Sequence, residues 1–262
     1  MEKQMGKKIV MIGAGNVAGH LSVALQNSGN QIIQVFSRTQ SAAKTLANKL
    51  NSSPTNRISQ ITDQGDLYIL AVSDSALPLL IKQLRFDSRL VVHTSGSMNM
   101  NVFEGAATNY GVIYPLQTFS KGKMVDFNEV PVIIEGNNKG NEKTLIDMCQ
   151  QISERVIKLD SIDRLYLHLA AVFACNFTNH LYSLASEILD VRHLSFELLT
   201  PLINETAEKV QAIQPAGAQT GPAIRNDQIV IKKHLDLLSF SPGTKELYEK
   251  LSQSIYARSD NQ

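Results

Sequence analysis

The chain has 262 residues, 43% of them hydrophobic, and its 25 basic and 24 acidic side chains leave a net charge of +1. That length allows two ordinary domains with a real core, and the even charge excludes the basic surface that nucleic acid or an anionic membrane would need. The two cysteines, Cys149 and Cys175, have no Cys or His near them at metal-ligand spacing. They read as buried or free thiols in a reducing compartment, and no metal is expected.

Residues 1–8 are short and polar and run straight into an apolar segment, so no signal peptide is expected and the cytoplasm is the default location. The apolar run feeds Gly13-Ala14-Gly15-Asn16-Val17-Ala18, a G-x-G-x-x-A turn, and a helical face continues through Leu21, Val23, Ala24 and Leu25. Strand, glycine turn and helix in this order predict a dinucleotide site. Gly13 permits the sharp turn, Gly15 leaves room for a pyrophosphate, and the small Ala18 lets helix and strand pack closely. Gly13, Ala14, Gly15, Asn16 and Val17 would then hold the pyrophosphate at the helix N-terminus, where free N–H groups and the helix dipole favour an anion.

The second predicted strand, 32–37, ends in Ser37-Arg38-Thr39, where an NAD site usually places a carboxylate on the ribose. Arg38 instead offers a planar fork of donors for a 2′-phosphate, with Ser37 beside it, which favours NADP over NAD. The alternative is that Arg38 is a solvated turn residue.

Further strands are predicted at 9–13, 67–72, 90–93, 111–114 and 130–135, with helices at 17–28, 41–50 and 75–84 among them. A helix at 143–154 and a strand at 155–159 complete this part. The alternation predicts an α/β Rossmann-like domain over 1–160, its mostly parallel sheet covered by helices on both faces.

Ligands of such sheets bind beyond the carboxyl ends of the strands. Ala71-Val72-Ser73-Asp74-Ser75 and His93-Thr94-Ser95-Gly96-Ser97 stand there, so Ala71, Val72, Ser73, Thr94 and Ser95 are candidate cofactor contacts. Ser73 or Asp74 is equally well placed to cap the next helix. Tyr114-Pro115-Leu116-Gln117-Thr118-Phe119 follows the next strand, and Tyr114 and Gln117 either line the substrate side or belong to an ordinary turn.

From residue 161 the pattern is helical only, which predicts a helical substrate and dimerisation domain over 161–262. Helices are expected at 162–189, 195–213, 227–237 and 244–257, with a loop at 214–222. The most apolar stretch, 165–185, is interrupted by His168, Asn176, Thr178, Asn179 and His180. Those residues are costly in lipid, so a buried helix is expected rather than a membrane span.

At 100° per residue His168, Asn176 and Asn179 fall within about 80° of one another. If that face lines the nicotinamide cleft, His168 exchanges the proton that accompanies hydride transfer, since a free imidazole titrates near ~6.5. Asn176 then polarises a carbonyl or imine, and Asn179 adds a substrate contact. The alternative is a histidine and two amides satisfied inside a helical core. In the loop Thr220-Gly221-Pro222-Ala223-Ile224-Arg225-Asn226-Asp227, Asp227 is placed to cap a helix. Thr220 and Arg225 are candidates for an acidic substrate group, with a surface salt bridge or a subunit contact as the alternatives for Arg225.

Taken together, the glycine turn, Ala71-Val72-Ser73-Asp74, His93-Thr94-Ser95-Gly96, the 114–119 segment, the stretch from His168 to Asn176 and Thr220-Gly221-Pro222 resemble a two-domain family described as NADP oxidoreductases. That family looks related to pyrroline-5-carboxylate reductases, ketopantoate reductases and deazaflavin-dependent NADP reductases. The resemblance covers the whole chain. It implies a C-terminal domain like that of 6-phosphogluconate dehydrogenase, a homodimer through the helical domains, and hydride transfer between NADP(H) and a small carbonyl or imine, a deazaflavin included.

Two departures stand out. Asn176 matches the helix asparagine of 3-hydroxyacid dehydrogenases and ketopantoate reductases, but Val172 occupies their catalytic lysine position. Asn226 replaces the usual glycine of an Arg-Gly-Asp sequence. A non-catalytic NADP sensor is therefore the alternative function, and a methyltransferase holding S-adenosylmethionine is a remoter one.

Overall fold

A computed structural model describes residues 6–123 and 125–259. The first compact unit ends at Cys175. It is built on eight strands: β1 (Lys8–Ile12), β2 (Gln31–Phe36), β3 (Ser53–Thr55), β4 (Leu67–Leu70), β5 (Leu90–His93), β6 (Asn109–Pro115), β7 (Val132–Gly136) and β8 (Val156–Lys158). They form one sheet in the order β3-β2-β1-β4-β5-β6-β7-β8. Every neighbouring pair is parallel except β6 and β7, which run antiparallel.

Helices α1 (Asn16–Asn27), α2 (Gln40–Lys49), α3 (Leu77–Ile81), α4 (Lys139–Cys149) and α5 (Ser161–Ala171) complete the unit. Successive strand residues point to opposite faces, so an unbroken apolar run such as Ile9-Val10-Met11-Ile12 is buried on both. Ile9 and Met11 pack with Leu21 and Leu25 of α1 and Leu145 and Met148 of α4. Val10 and Ile12 pack with Leu77, Leu80 and Ile81 of α3 and with Phe86 and Phe103. Burial of each such side chain stabilises the fold by about 1.5–3 kcal/mol.

The chain crosses from one side of β1 to the other between β3 and β4, which opens a crevice at the carboxyl ends of β1 and β4. Two local differences from expectation bear on this crevice. Pro78 lies in the first turn of α3, whose start has no side-chain cap. The helix expected over 75–84 thus shortens to five residues, and neither Ser73 nor Asp74 caps it. Strand β3 and the single turn Ile58–Gln60 lie between the expected helix at 41–50 and strand at 67–72, in a stretch to which the sequence pattern assigns no element.

The second compact unit begins at Asn176. It comprises α6 (Thr178–Asp190), α7 (Thr200–Ala212), α8 (Pro215–Ala218), α9 (Gln228–Leu237) and α10 (Pro242–Ser259). The division falls inside a π-helical turn, Val172–Phe177, that continues α5. By contact, then, α5 sides with the sheet, although the sequence pattern turns purely helical fifteen residues earlier. Helix α8 occupies part of the expected loop at 214–222. Within this unit, Asp227 caps α9 by accepting from the Val230 N–H at 3.1 Å, and His234 Nδ1 meets the Tyr248 hydroxyl at 2.8 Å.

Burial along 165–185 runs against expectation: not one of these residues is buried. Apolar character alone does not establish that a side chain is covered by its own chain. Among the described residues of the second unit, only Ala223 and Leu238 are buried apolar side chains, while Leu198, Leu202, Ile229 and Leu237 are each more than 60% exposed. No described helix is long and apolar enough to cross a membrane.

Candidate active site

The site starts at the end of β1. Gly13 has φ +123°, and its N–H donates to the Phe36 carbonyl at 2.8 Å. A Cβ here would lie 2.1 Å from the Ala71 carbonyl oxygen, so β1 and β4 approach as closely as they do only because residue 13 is glycine. Gly15 differs: a Cβ there meets nothing within 4 Å. Its lack of a side chain leaves open space in front of α1, whose N-terminus carries no side-chain cap and no acidic residue in its first turn. Such an end has free N–H groups and a positive dipole.

That space belongs to a cavity of about 760 Å³ within the first unit. Every expected cofactor residue lines it: Gly13, Ala14, Gly15, Asn16, Val17, Ser37, Arg38, Ala71, Val72, Ser73, Thr94 and Ser95. Arg38 is exposed at the end of β2, beside an apolar wall that includes Ile58, Leu79 and Leu80. Ile58, Leu79 and Gln83 were not readable as site residues, although Pro78 does mark where α3 starts. Asp74, Gly96 and Phe119 also line the cavity, as do the expected Gln117 and His168.

Loops from three strands are tied together around this space. Ser97 Oγ donates to Asp74 Oδ2, joining the loops after β4 and β5. Ser95 Oγ accepts from the N–H groups of Ser97 at 3.1 Å and Met98 at 3.0 Å. Beneath them, His93 is fully buried and its Nδ1 accepts from the Ser95 N–H at 3.1 Å. Burial, with the Arg164 guanidinium adding to it, pushes the His93 imidazole down to about 3, so the ring is neutral at ordinary pH. From the segment after β6, the Phe119 carbonyl accepts from Asn16 Nδ2 at 2.8 Å and the Phe119 ring stacks on His20 with centroids 4.8 Å apart. That segment is thereby fastened to α1.

At the other end stands α5. Asp160 caps it, accepting from the Ile162 and Asp163 N–H groups. Arg164 is fully buried; it pairs with Glu135 of β7 and donates to the Met98 carbonyl at 2.6 Å and to Ser161 Oγ at 3.1 Å. One turn further on, His168 reaches the cavity, and its Nδ1 lies 3.1 Å from the Tyr114 hydroxyl. Tyr114 itself is not a lining residue, and burial raises its hydroxyl above the usual value near 10.

The other expected substrate residues, Asn176, Asn179, Thr220 and Arg225, all belong to the second unit and are exposed. The π-helical turn Val172–Phe177 interrupts the 100° progression on which their shared face with His168 was argued, so spacing does not establish that face. Asn226, where the resembling family has glycine, takes φ +51°, a left-handed conformation that asparagine tolerates better than most residues. Among the described residues, no group of three or more His, Cys, Asp or Glu side chains is arranged to hold a metal ion.

Two family models match the chain, and the second begins inside the first compact unit. Residues 2–118 match a Rossmann-like domain, and residues 130–255 match DUF2520, a domain of unknown function. A Bacteroides fragilis structure described as a "putative NADP oxidoreductase" is 45% identical, covers 97% of this chain and 99% of its own, and superposes with a TM-score of 0.90. Protein TM1727 of Thermotoga maritima is 19% identical over 96% of this chain and 99% of its own, with a TM-score of 0.79. A 1-pyrroline-5-carboxylate reductase of Streptococcus pyogenes is 14% identical over 97% of this chain and its own full length, with a TM-score of 0.64. The last two likenesses are of fold alone. No curated protein matches the chain. On 45% identity across nearly its full length, this chain, whose Rossmann-like match is followed by a DUF2520 match, belongs to the family of the Bacteroides fragilis protein.

Proposed function

We propose that this protein is an NADP-dependent oxidoreductase that moves a hydride between NADP(H) and a small carbonyl or imine. The observation that carries the reading is one cavity that joins the uncapped N-terminus of α1, the open space over Gly15, the Arg38 fork and the His168 imidazole. The residues fit the cofactor: a Cβ at Gly15 would fill the cradle that a pyrophosphate needs, and the cavity lies within the range of about 300–1,000 Å³ common for ligand sites. Gly13 to Val17 hold the pyrophosphate, Ser37 and Arg38 take the 2′-phosphate, and Ala71, Val72, Ser73, Thr94 and Ser95 line the path between. The cofactor, when bound, supplies the hydride. His168 meets the oxygen or nitrogen of the substrate and handles its proton, with Gln117 on the substrate side.

Asn176, Asn179, Thr220 and Arg225 are proposed as substrate contacts from the helical part, which also serves as the dimerisation domain. The exposed apolar side chains of α7 and α9 suit a second copy of the chain. Two free thiols suit a cytoplasmic location. Val172 in place of a lysine favours one other reading, a sensor that binds NADP without turning it over.

Titration of NADPH, NADH and their oxidised forms into wild-type protein and Arg38→Ala tests the cofactor assignment. Loss of at least about tenfold in NADP(H) affinity is expected, with NAD(H) unchanged; equal losses overturn the 2′-phosphate role. Saturable NADPH oxidation with small keto acids, cyclic imines or an oxidised deazaflavin supports the enzyme. Tight binding with no turnover supports the sensor.

A further inference from the structure

We propose that Tyr114 is a positioning residue that acts through His168, holding its ring with the hydrogen on Nε2, while Gly96 seats the pair and Arg164 anchors the helix that carries it. The inference rests on the oxidoreductase reading for its purpose, but not for its geometry.

Tyr114 lies near the end of β6 and His168 on α5, 54 residues apart, and their polar atoms meet at 3.1 Å. The rings stand edge to face, with centroids 5.9 Å apart and planes at 78°. Of the two groups, the phenol is the better proton donor and the imidazole nitrogen the better acceptor. The Tyr114 O–H therefore donates to Nδ1. Burial raises the phenol above its usual value, which keeps it in the O–H form that such a bond requires. With its Nδ1 lone pair engaged, the neutral ring carries its hydrogen on Nε2. His168 thus offers an N–H donor from a side chain that lines the cavity.

Two further residues fix the ring in place. A Cβ at Gly96 would lie 2.7 Å from His168 Nδ1 and 2.8 Å from Tyr114 Cζ, so the loop after β5 packs its bare backbone against both partners. Arg164, fully buried, ties α5 to Glu135 of β7 and to the Met98 carbonyl in the loop after β5. The ring is thus held from β6, from the loop after β5 and through its own helix. A donor held this way meets charge as it develops on a carbonyl oxygen or imine nitrogen without having to reorient. In this arrangement Tyr114 touches His168 and not the ligand.

Nitrogen-15 spectra of the histidine rings near pH ~9, where free imidazoles are neutral, read the tautomer directly. His168→Gln assigns the signals. Wild-type His168 is expected as the Nε2–H tautomer alone, and Tyr114→Phe is expected to show a mixture with Nδ1–H. Gly96→Ala, with Tyr114 intact, is expected to disturb the His168 signals in the same direction and covers the case in which Tyr114→Phe fails to fold. NADPH affinity of Tyr114→Phe is expected to stay within about twofold of wild type. An Nδ1–H tautomer in the wild type, or spectra unmoved in both variants, overturns the proposal. So does a loss of about tenfold or more in NADPH affinity for Tyr114→Phe, which makes Tyr114 a direct ligand contact. If wild-type protein binds no NADPH and the tautomer change still appears, the oxidoreductase reading fails and the His168 holder stands.

Discussion

Arg164 and His168 are four residues apart on α5, one helical turn, and they share its inward side: Arg164 is fully buried against Glu135 while His168 lines the cavity. One face of one helix therefore serves as both anchor and working surface. Arg164→Met removes the guanidinium but leaves the mostly buried Glu135 carboxylate without its cation. The expected cost is about 3–5 kcal/mol, because an orphaned buried charge is more harmful than a missing pair. Urea unfolding of Arg164→Met and of the double variant Glu135→Gln/Arg164→Met checks this, and the double variant is expected to recover part of the loss.

His93 is expected to make the first unit acid-sensitive. Its folded imidazole is lowered to about 3, whereas the unfolded ring titrates near 6.5. Below the unfolded value the unfolded chain takes up a proton that the folded chain refuses. The stabilisation is therefore complete above pH ~6.5 and is lost as pH falls towards ~3, by up to about 1.4 kcal/mol per pH unit. His93→Asn is expected to be less stable at neutral pH and to show an acid limb shallower by about one proton between pH ~6 and ~4. Equal slopes in the two proteins would remove His93 as the cause.

The two glycines of the first turn are expected to fail in different ways. Gly13→Ala drives a Cβ to within 2.1 Å of the Ala71 carbonyl oxygen at φ +123°, so the backbone itself must move. A stability loss of about 1–3 kcal/mol or more is expected. Gly15→Ala meets no protein atom within 4 Å and is expected to melt within a degree or two of wild type. Its NADP(H) affinity, however, should fall by about tenfold or more. Thermal melts beside cofactor titrations separate the two, and a Gly15→Ala protein that binds normally would contradict the pyrophosphate assignment.

The uncovered helices predict assembly. Leu198 and Leu202 are 66% and 62% exposed at the start of the α7 region. If a second copy covers them, wild-type protein sediments as a dimer at micromolar concentration, and Leu198→Glu/Leu202→Glu sediments as a monomer or aggregates. A wild-type monomer in analytical ultracentrifugation would reject the dimer.

What was legible in the sequence was local. The glycine turn, Ser37-Arg38 and the small polar residues after β4 and β5 could be found because a strand end and the residues following it are contiguous, and the sheet's topology then gathers such ends in one place. Ile58, Leu79 and Gln83 are not legible in the sequence because their place in the cavity depends on how short α3 is and on the turn that follows β3. Tyr114 and His168 were each visible, but a bond across 54 residues is a property of packing that neither segment encodes. The exposure along 165–185 was illegible for another reason, since hydropathy does not tell an apolar side chain that its own chain covers from one that it leaves exposed. Asn226 is the instructive middle case. A breaker-rich loop was evident, and the left-handed backbone at that residue explains how asparagine stands in for glycine there.

The antiparallel turn from β6 to β7 has a practical consequence. Because β7 runs back down the sheet, the connection leaves β6 and enters β7 at the cavity end, where Phe119 is fastened to α1, and Lys121-Gly122-Lys123 within it is exposed. Those two lysines put a tryptic site a few residues from Gln117 and Phe119, which line the cavity. Occupancy by a dinucleotide should slow cleavage there while leaving distant sites unaffected, so the rate of a single proteolytic cut would report ligand binding even before any substrate has been identified.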